Sequence, residues 1–272
     1  MTQTQEKVLL TEAQETLLIT LYAKARACPQ TILDDKKARQ IMERVAYDFS
    51  KLKVPIGTSL TVCIRARKLD DYVRQFLERY PAGIVLHLGC GLDSRCERVD
   101  TGEALWYDLD VPDVIALRKK FFPETGQYHM ISAWVNDLEW MQAIDNQGQP
   151  VIVIAEGLMM YLAEQQVKEL VLALQQNFPG CKLAFDAYSE LTVRRVGAHP
   201  SLRKTGAVIQ WGIDDAKIIE RWADGIRLEE EWFFNQSETI QNLALFYQLI
   251  FKVTGLFSVA RKAHRILYYT LG

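Results

Sequence analysis

The sequence predicts an α/β fold, a mostly parallel sheet wound through helices behind a helical N-terminal region. Three observations carry this. From Ile84 onward short apolar runs alternate with longer stretches of helical spacing, the pattern of strands buried on both faces and joined by crossover helices. The first run, Ile84-Val-Leu-His-Leu88, passes directly into Gly89-Cys90-Gly91, a strand feeding a glycine turn. The last segment, Arg265-Ile-Leu-Tyr-Tyr-Thr-Leu271, is rich in β-formers and follows Arg227–Phe234. Together these predict a terminal hairpin-like pair and an antiparallel edge strand.

The elements follow in order. Thr11 to Ala27 has helical spacing, with Leu17, Leu18, Leu21 and Tyr22 on one side and Thr11-Glu-Ala-Gln14 as its capped start. Asp34-Asp35 opens a second helix whose stripe is Ala38, Ile41, Met42 and Val45. Ser59 to Tyr80 is a third, with Leu60, Ile64, Leu69, Val73 and Phe76, ended by Pro81-Ala-Gly83. Residues 1–82 therefore read as a helical extension and 83–272 as the sheet domain. Strands are predicted at 84–88, 104–108, 128–132, 151–155 and 182–187, and helices at 112–121 and 164–177. Residues 189–224 lose the alternation and read as an insertion that roofs the site, carrying Arg194-Arg195 and His199-Pro200. A long helix is expected near 236–253.

Composition sets the class. The chain has 272 residues, 49% hydrophobic and 24% charged, enough for one substantial core. A net charge of −2 gives no reason to expect nucleic acid or an anionic membrane as partner. The five cysteines show neither C-x-x-C spacing nor a cluster with histidine, so neither zinc nor a disulfide framework is expected and a reducing cytoplasm is the simplest setting. No run approaches the ~20 apolar residues of a membrane span, and the first residues lack a signal core.

The glycine turn points to the ligand. An acidic stretch, Trp106-Tyr-Asp-Leu-Asp110, follows about 20 residues after it, so backbone faces a nucleotide and a carboxylate faces its ribose. The third glycine of the dinucleotide fingerprint is missing, and Asp93 stands where a pyrophosphate would lie and would repel it. That argues against a nicotinamide-dependent oxidoreductase. A cofactor with a ribose and no phosphate fits, and S-adenosylmethionine is the candidate. Asp93 has two open roles, capping the next helix or touching ligand.

Val85-Leu-His-Leu-Gly-Cys-Gly-Leu-Asp-Ser-Arg95 resembles the signature of the leucine carboxyl methyltransferase superfamily, whose bacterial branch includes O-methyltransferases linked to polyketide biosynthesis. Asp108-Leu-Asp-Val-Pro-Asp-Val-Ile115 and Ala155-Glu-Gly-Leu-Met-Met-Tyr-Leu162 are similar to two further segments of that family, in the same order. Cys90, His87 and Ser94 replace its usual alanine, asparagine and threonine. The resemblance implies a Rossmann-like class I methyltransferase sheet of seven strands, mostly parallel with the last strand antiparallel. It also implies methyl transfer from S-adenosylmethionine to an oxygen of a small-molecule acceptor, a carboxylate or a hydroxyl, with no metal. A catalytically silent S-adenosylmethionine-binding or scaffold protein of the same fold is the alternative.

Candidate residues follow. Gly89, Cys90 and Gly91 form the turn. Asp108 and Asp110 compete for the ribose, since residues two apart on a strand point the same way. The resemblance places that acid at Asp110, and puts Asp137 and Leu138 against the adenine. Glu156 ends a strand beside a glycine, where the methionine ammonium is a natural partner. The cofactor's carboxylate needs a cation. The resemblance supplies Arg65, with Arg67 as the alternative and Lys24 further upstream, and an arginine fork meets a carboxylate bidentately. Tyr161 has two readings, an edge of the methyl-transfer pocket or a core tyrosine. No general base stands out, and a carboxylate acceptor, already ionised at neutral pH, needs none.

Overall fold

The computed structural model describes residues 15–197 and 208–272. Thr11–Gln14 and His199-Pro200 of the expected roof lie outside them. The apolar runs form one seven-stranded sheet: β1 (Ile84–Leu88), β2 (Leu105–Asp110), β3 (Tyr128–Ser132), β4 (Val151–Ala155), β5 (Cys181–Tyr188), β6 (Ile226–Phe233) and β7 (His264–Leu271). The spatial order is β3-β2-β1-β4-β5-β7-β6. Strands β1 to β5 are parallel, and β7 runs antiparallel to both β5 and β6.

The reversed strand is therefore not at the edge, as the sequence suggested. β7 lies inside the sheet, and β6, parallel to the first five strands, takes the edge. The residues explain the exchange. In β7 Arg265, Ile266, Leu267, Tyr269 and Leu271 are buried, whereas β6 leaves Arg227 and Glu229 exposed and holds Glu230 and Glu231 half-buried. Charge along a strand blunts an edge against further pairing.

Period-2 alternation divides the core into two layers. Val85 of β1 and Ile152 and Ile154 of β4 pack beneath the N-terminal helices, α1 (Glu15–Tyr22), α2 (Lys36–Arg44) and α3 (Ile56–Arg79), against Leu18, Ile41, Ile64, Leu69 and Val73. Their neighbours Leu86 and Val153 face the other way, onto Val167, Leu170, Val171 and Leu174 of the helix Glu164–Asn177. The N-terminal helices thus share one core with the sheet. Past Tyr22 helix α1 widens into a π-helical turn, Ala23–Ala27. Such turns are uncommon and often mark functional sites.

Predicted helix 112–121 ends early, at Arg118. The long helix near 236–253 is instead two 3₁₀ turns, Phe234–Gln236 and Glu238–Asn242, followed by a helix at Leu245–Leu256. Ser237 bonds Thr239 through their hydroxyls, at 2.7 Å, and local side-chain bonding of this kind competes with a continuous helix. The chain returns over the sheet at Gln210 and Trp211, whose amides donate to the Met160 carbonyl at 2.8 and 3.2 Å. No helix among the described residues is long and apolar enough to cross a membrane.

Asp108 is bonded within the protein. It is fully buried and accepts hydrogen bonds from Trp106 Nε1 at 2.8 Å, Tyr128 Oη at 2.5 Å and Arg118 Nη2. His87 Nδ1 lies 3.2 Å away. Its carboxyl is held down to about 2, because Arg118 and His87 outweigh burial. Arg118 also donates to the Gly91 carbonyl at 2.9 Å, so this tie anchors the glycine turn. We expect Arg118→Met, which strands a buried carboxylate, to cost about 3–5 kcal/mol in urea unfolding; a loss under ~1 kcal/mol would show that Asp108 does not depend on it.

Candidate functional site

In an open parallel sheet, ligands bind where the strand order reverses. Here that place is the carboxyl edge between β1 and β4, and a cavity of about 310 Å³ lies there. The glycine turn after β1 forms one side. Gly89 and Gly91 have φ of +63° and +52°, a region L side chains rarely adopt. A Cβ on Gly91 would also lie 2.8 Å from Leu17 of α1. Cys90 lines the cavity, but its amide donates to Leu109 across the sheet at 3.1 Å, and burial pushes its thiol well up.

Glu156, one residue beyond β4, forms the other side and is enclosed by cations. Lys24 Nζ and Arg65 Nη2 stand 3.1 Å from Oε1, and Arg95 Nη2 donates to Oε2 at 2.5 Å. Although burial opposes it, Lys24, Arg65 and Arg95 hold the carboxyl down to about 2. Lys24 comes from the π-helical turn and also pairs with Asp93 at 3.1 Å. Asp93 accepts from Arg98 at 2.8 Å and lines the cavity. It does not cap the following helix, Arg95–Val99, whose N-cap is Ser94.

Arg65 is engaged within the protein, Nη1 donating to Asp186 at 2.7 Å and Nη2 to Glu156 at 3.1 Å. A guanidinium has five N–H donors, and buried Nε has no partner among the described residues, so donors remain for a ligand. Arg67 points elsewhere, to exposed Asp71 at 3.0 Å. Asp186, on β5, also accepts from the Gly157 amide at 2.6 Å and lies 2.8 Å from His264 Nε2.

The ion pairs continue beneath the turn. Arg95 donates to Asp70 of α3 at 2.7 Å, and Arg98 pairs with Asp70 at 2.8 Å and with Asp35 at 2.6 Å. Nine side chains, each under a tenth exposed, form this network: Lys24, Arg65, Arg95 and Arg98 against Asp35, Asp70, Asp93, Glu156 and Asp186. Half-buried Arg74 also reaches Asp70 at 3.8 Å, and His264 meets Asp186 at 2.8 Å.

Asp110, ending β2, accepts one hydrogen bond on each oxygen, from the Gly91 amide and from the Val111 amide, both at 2.8 Å. Burial raises its pKa despite these bonds. An ionised carboxylate has about four lone-pair positions, so two remain for further donors. Asp137 and Leu138 follow β3 at the same sheet edge and do not line the cavity; Asp137 is exposed and its side chain caps nothing. Tyr161 and Tyr188 line the cavity with Val62, Met160 and Ile209. Both phenols are raised by burial, Tyr188 to about 12.

Sequence reasoning missed Asp186, Arg95, Arg98, Asp70 and Tyr188. Asp186 and Tyr188 had a signal, a strand end at the switch side of the sheet. The helical charges had none.

Comparison with known proteins agrees with this arrangement. Residues 15–175 match the family described as leucine carboxyl methyltransferase. The chain belongs to that family. It is 36% identical to the tetracenomycin polyketide synthesis O-methyltransferase TcmP of Streptomyces glaucescens, covering 97% of this chain and 99% of that one. It is 34% identical to the S-adenosyl-L-methionine-dependent methyltransferase dpfgK of Gibberella zeae, over 84% of each. A solved putative methyltransferase from Thermobifida fusca, 15% identical, shares the fold with a TM-score of 0.56 over 96% of this chain and 94% of that chain. The protein is an S-adenosylmethionine-dependent O-methyltransferase of class I fold.

The residues fit that cofactor. S-adenosylmethionine carries a carboxylate, an ammonium and a sulfonium, and the cavity lining offers both signs of charge, Lys24 and Arg65 beside Asp93 and Glu156. Arg65 Nε is a buried donor still to be satisfied. The glycine turn leaves no room for a Cβ.

These charges also set the acid limit of the fold. Asp70, Asp93, Asp108, Glu156 and Asp186 are all held below the ordinary carboxylate range, because neighbouring arginines and, at several of them, Lys24 or a histidine outweigh burial. Each then adds stability present above its unfolded pKa of about 4 and lost as pH falls towards its folded pKa. Half-buried His264 is lowered by desolvation and adds a smaller loss that begins near its unfolded pKa of about 6.5. Asp110, raised, acts in the opposite sense. We expect the urea midpoint to decline gently from about pH 6.5 and steeply below about pH 4; a midpoint unchanged to about pH 3 would contradict the ionised network.

Proposed function

We propose that this methyltransferase acts on a carboxylate oxygen of a small molecule with an apolar, polyketide-like body. One observation carries the choice of acceptor: among the described residues, the carboxylates lining the cavity are held by cations, its phenols are raised by burial, and its one histidine is engaged on both ring nitrogens. His87 is 3.3 Å from Arg95 Nη1 through Nε2 and 3.2 Å from Asp108 through Nδ1. Both ring nitrogens are thus engaged within the protein. Glu156 and Asp93 are held strongly ionised by cations, and the two tyrosines stay protonated. A hydroxyl acceptor would need a base, whereas a carboxylate arrives ionised. The polyketide context of TcmP supports the apolar body, which suits Val62, Met160 and Ile209.

When bound, S-adenosylmethionine supplies a methyl carbon activated by sulfonium: the acceptor oxygen bonds to it, the carbon–sulfur bond breaks, and the electron pair leaves on sulfur. The chain's own residues bind and orient. Asp110 would take the ribose diol on its two remaining lone-pair positions. Asp137 and Leu138 would meet the adenine. Glu156 would take the methionine ammonium, and Lys24 and Arg65, from the N-terminal helical region, the methionine carboxylate. The Tyr161 and Tyr188 phenols, neutral donors, would hold the acceptor carboxylate in line, and positioning is the main source of rate.

The test is a panel of carboxylic acids and phenols with labelled cofactor. Methyl esters should form, with kcat/KM flat from about pH 6 to 9. Aryl ethers formed at a rate rising with pH would overturn the carboxylate assignment, and cofactor bound without transfer to any acid would favour a silent binding protein. Asp110→Ala should weaken cofactor binding by about 10- to 100-fold in calorimetry, the worth of hydrogen bonds to a charged group; unchanged affinity would remove Asp110 from the ribose.

A further inference from the structure

The helix Leu245–Leu256 (α8, counting helices Arg95–Val99, Pro112–Arg118, Glu164–Asn177 and Glu190–Gly197 as α4 to α7) is apolar on both sides. Tyr247 and Phe251 turn inward and pack against the core layer that holds the N-terminal helices. Leu245, Phe246, Leu249, Val253 and Leu256 turn outward, and Phe257 continues the stripe; Leu245 is 81% exposed, Leu256 77% and Phe246 67%. The helix carries a single charge, Lys252. A helix apolar all round belongs inside a structure. Here only one side is covered.

We propose that the protein is a homodimer in which α8 packs on α8 of a second copy about a twofold axis. Area is the first argument. At these exposures the stripe leaves on the order of 700 Å² uncovered, close to the about 800 Å² that each partner of a standard interface contributes and more than the few hundred a monomer commonly shows. Shape is the second. A twofold contact must be self-complementary, and the stripe has hollows on both flanks. One, of about 300 Å³, is lined by Leu191, Val253, Phe257 and Val259. The other, of about 640 Å³, is lined by Ile240, Leu245, Leu249 and Leu256 together with Glu238, Gln241, Gln248 and Lys252. Leucine and phenylalanine knobs therefore stand beside one apolar hole and one of mixed lining on the same surface. Charge is the third: with no acid on α8, two copies meet without a buried ion pair to align. A membrane-surface helix would instead show a basic polar face opposite the stripe, and here that side is filled by Tyr247 and Phe251.

Sedimentation velocity on the full chain, from about 1 to about 100 µM, tests this. We expect a species of twice the 31.2 kDa chain mass. The double variant Leu249→Glu, Val253→Glu should sediment as a monomer while its melting temperature and cofactor affinity stay at the parent values, since neither residue belongs to the core or the cavity. As a second readout, a Leu249→Cys chain should be joined to its copy by a short bismaleimide. A monomeric parent chain, a dimer that survives the double variant, or no crosslink at Leu249→Cys would each overturn the proposal. So would a monomer that pelleted with phosphatidylcholine–phosphatidylglycerol vesicles, which would assign the stripe to lipid.

Discussion

The buried charge network at the carboxyl edge of β1 and β4 is the constraint on which the rest of the molecule depends. Removing carboxylates and guanidiniums from water costs several kcal/mol each, and mutual attraction repays this only where geometry is good and every group is met. The chain arranges its helices accordingly. Asp35 begins α2 by accepting the Ala38 amide, and its other oxygen receives Arg98. Asp70 sits on α3 where it meets both Arg95 and Arg98. Lys24 is delivered by a π-helical turn, which rotates the side chains beyond Tyr22 relative to a regular helix. The N-terminal helices therefore form a second wall of the site as well as a cover for one face of the sheet.

A network of this kind contributes modestly to stability for the number of contacts it contains, because desolvation offsets most of the attraction. Its larger effect is to leave each side chain one arrangement. Glu156 is fixed from three directions, and Asp186 fixes Arg65 and the amide of Gly157 together. That is the preorganisation a transferase needs when its reaction depends on distance and alignment and no protein group moves a proton.

The sheet was legible because burial on both faces requires long apolar runs, which few other contexts produce. β1, β3 and β4 match their expected bounds, β2 begins one residue later and ends two later than expected, and β5 is one residue longer at each end. The place of β7 was not legible. Strand order depends on which edge tolerates charge, and both terminal segments read as β. In the site, residues tied to backbone pattern were visible: Gly89, Gly91, Asp110 and Glu156 all stand at strand ends. The charges of helical segments were not. Asp70 and Arg98 have the spacing and company of solvated residues, and only packing of α3 against the turn distinguishes them from Arg67 and Asp71, which are exposed. Asp108 was ambiguous for a related reason. A carboxylate inside Trp106-Tyr-Asp-Leu-Asp110 must have partners, but the strand alone does not say whether they are ligand or protein; in the structure Arg118 and Tyr128 supply them from other elements.

The proposed reaction joins a cation to an anion: sulfonium becomes thioether and the acceptor carboxylate becomes a neutral ester. The summed charge in the site is unchanged, but the attraction between cofactor and acceptor disappears, in surroundings where burial magnifies it. The tyrosine side of the cavity likewise faces an ester that accepts hydrogen bonds less strongly than the carboxylate it replaced. The fixed cluster around Glu156 is untouched by the transfer, held by Lys24, Arg65 and Arg95 as before. In the proposed reaction, what loosens on turnover is therefore the hold of the two small molecules on each other, against a frame of protein charges that does not rearrange.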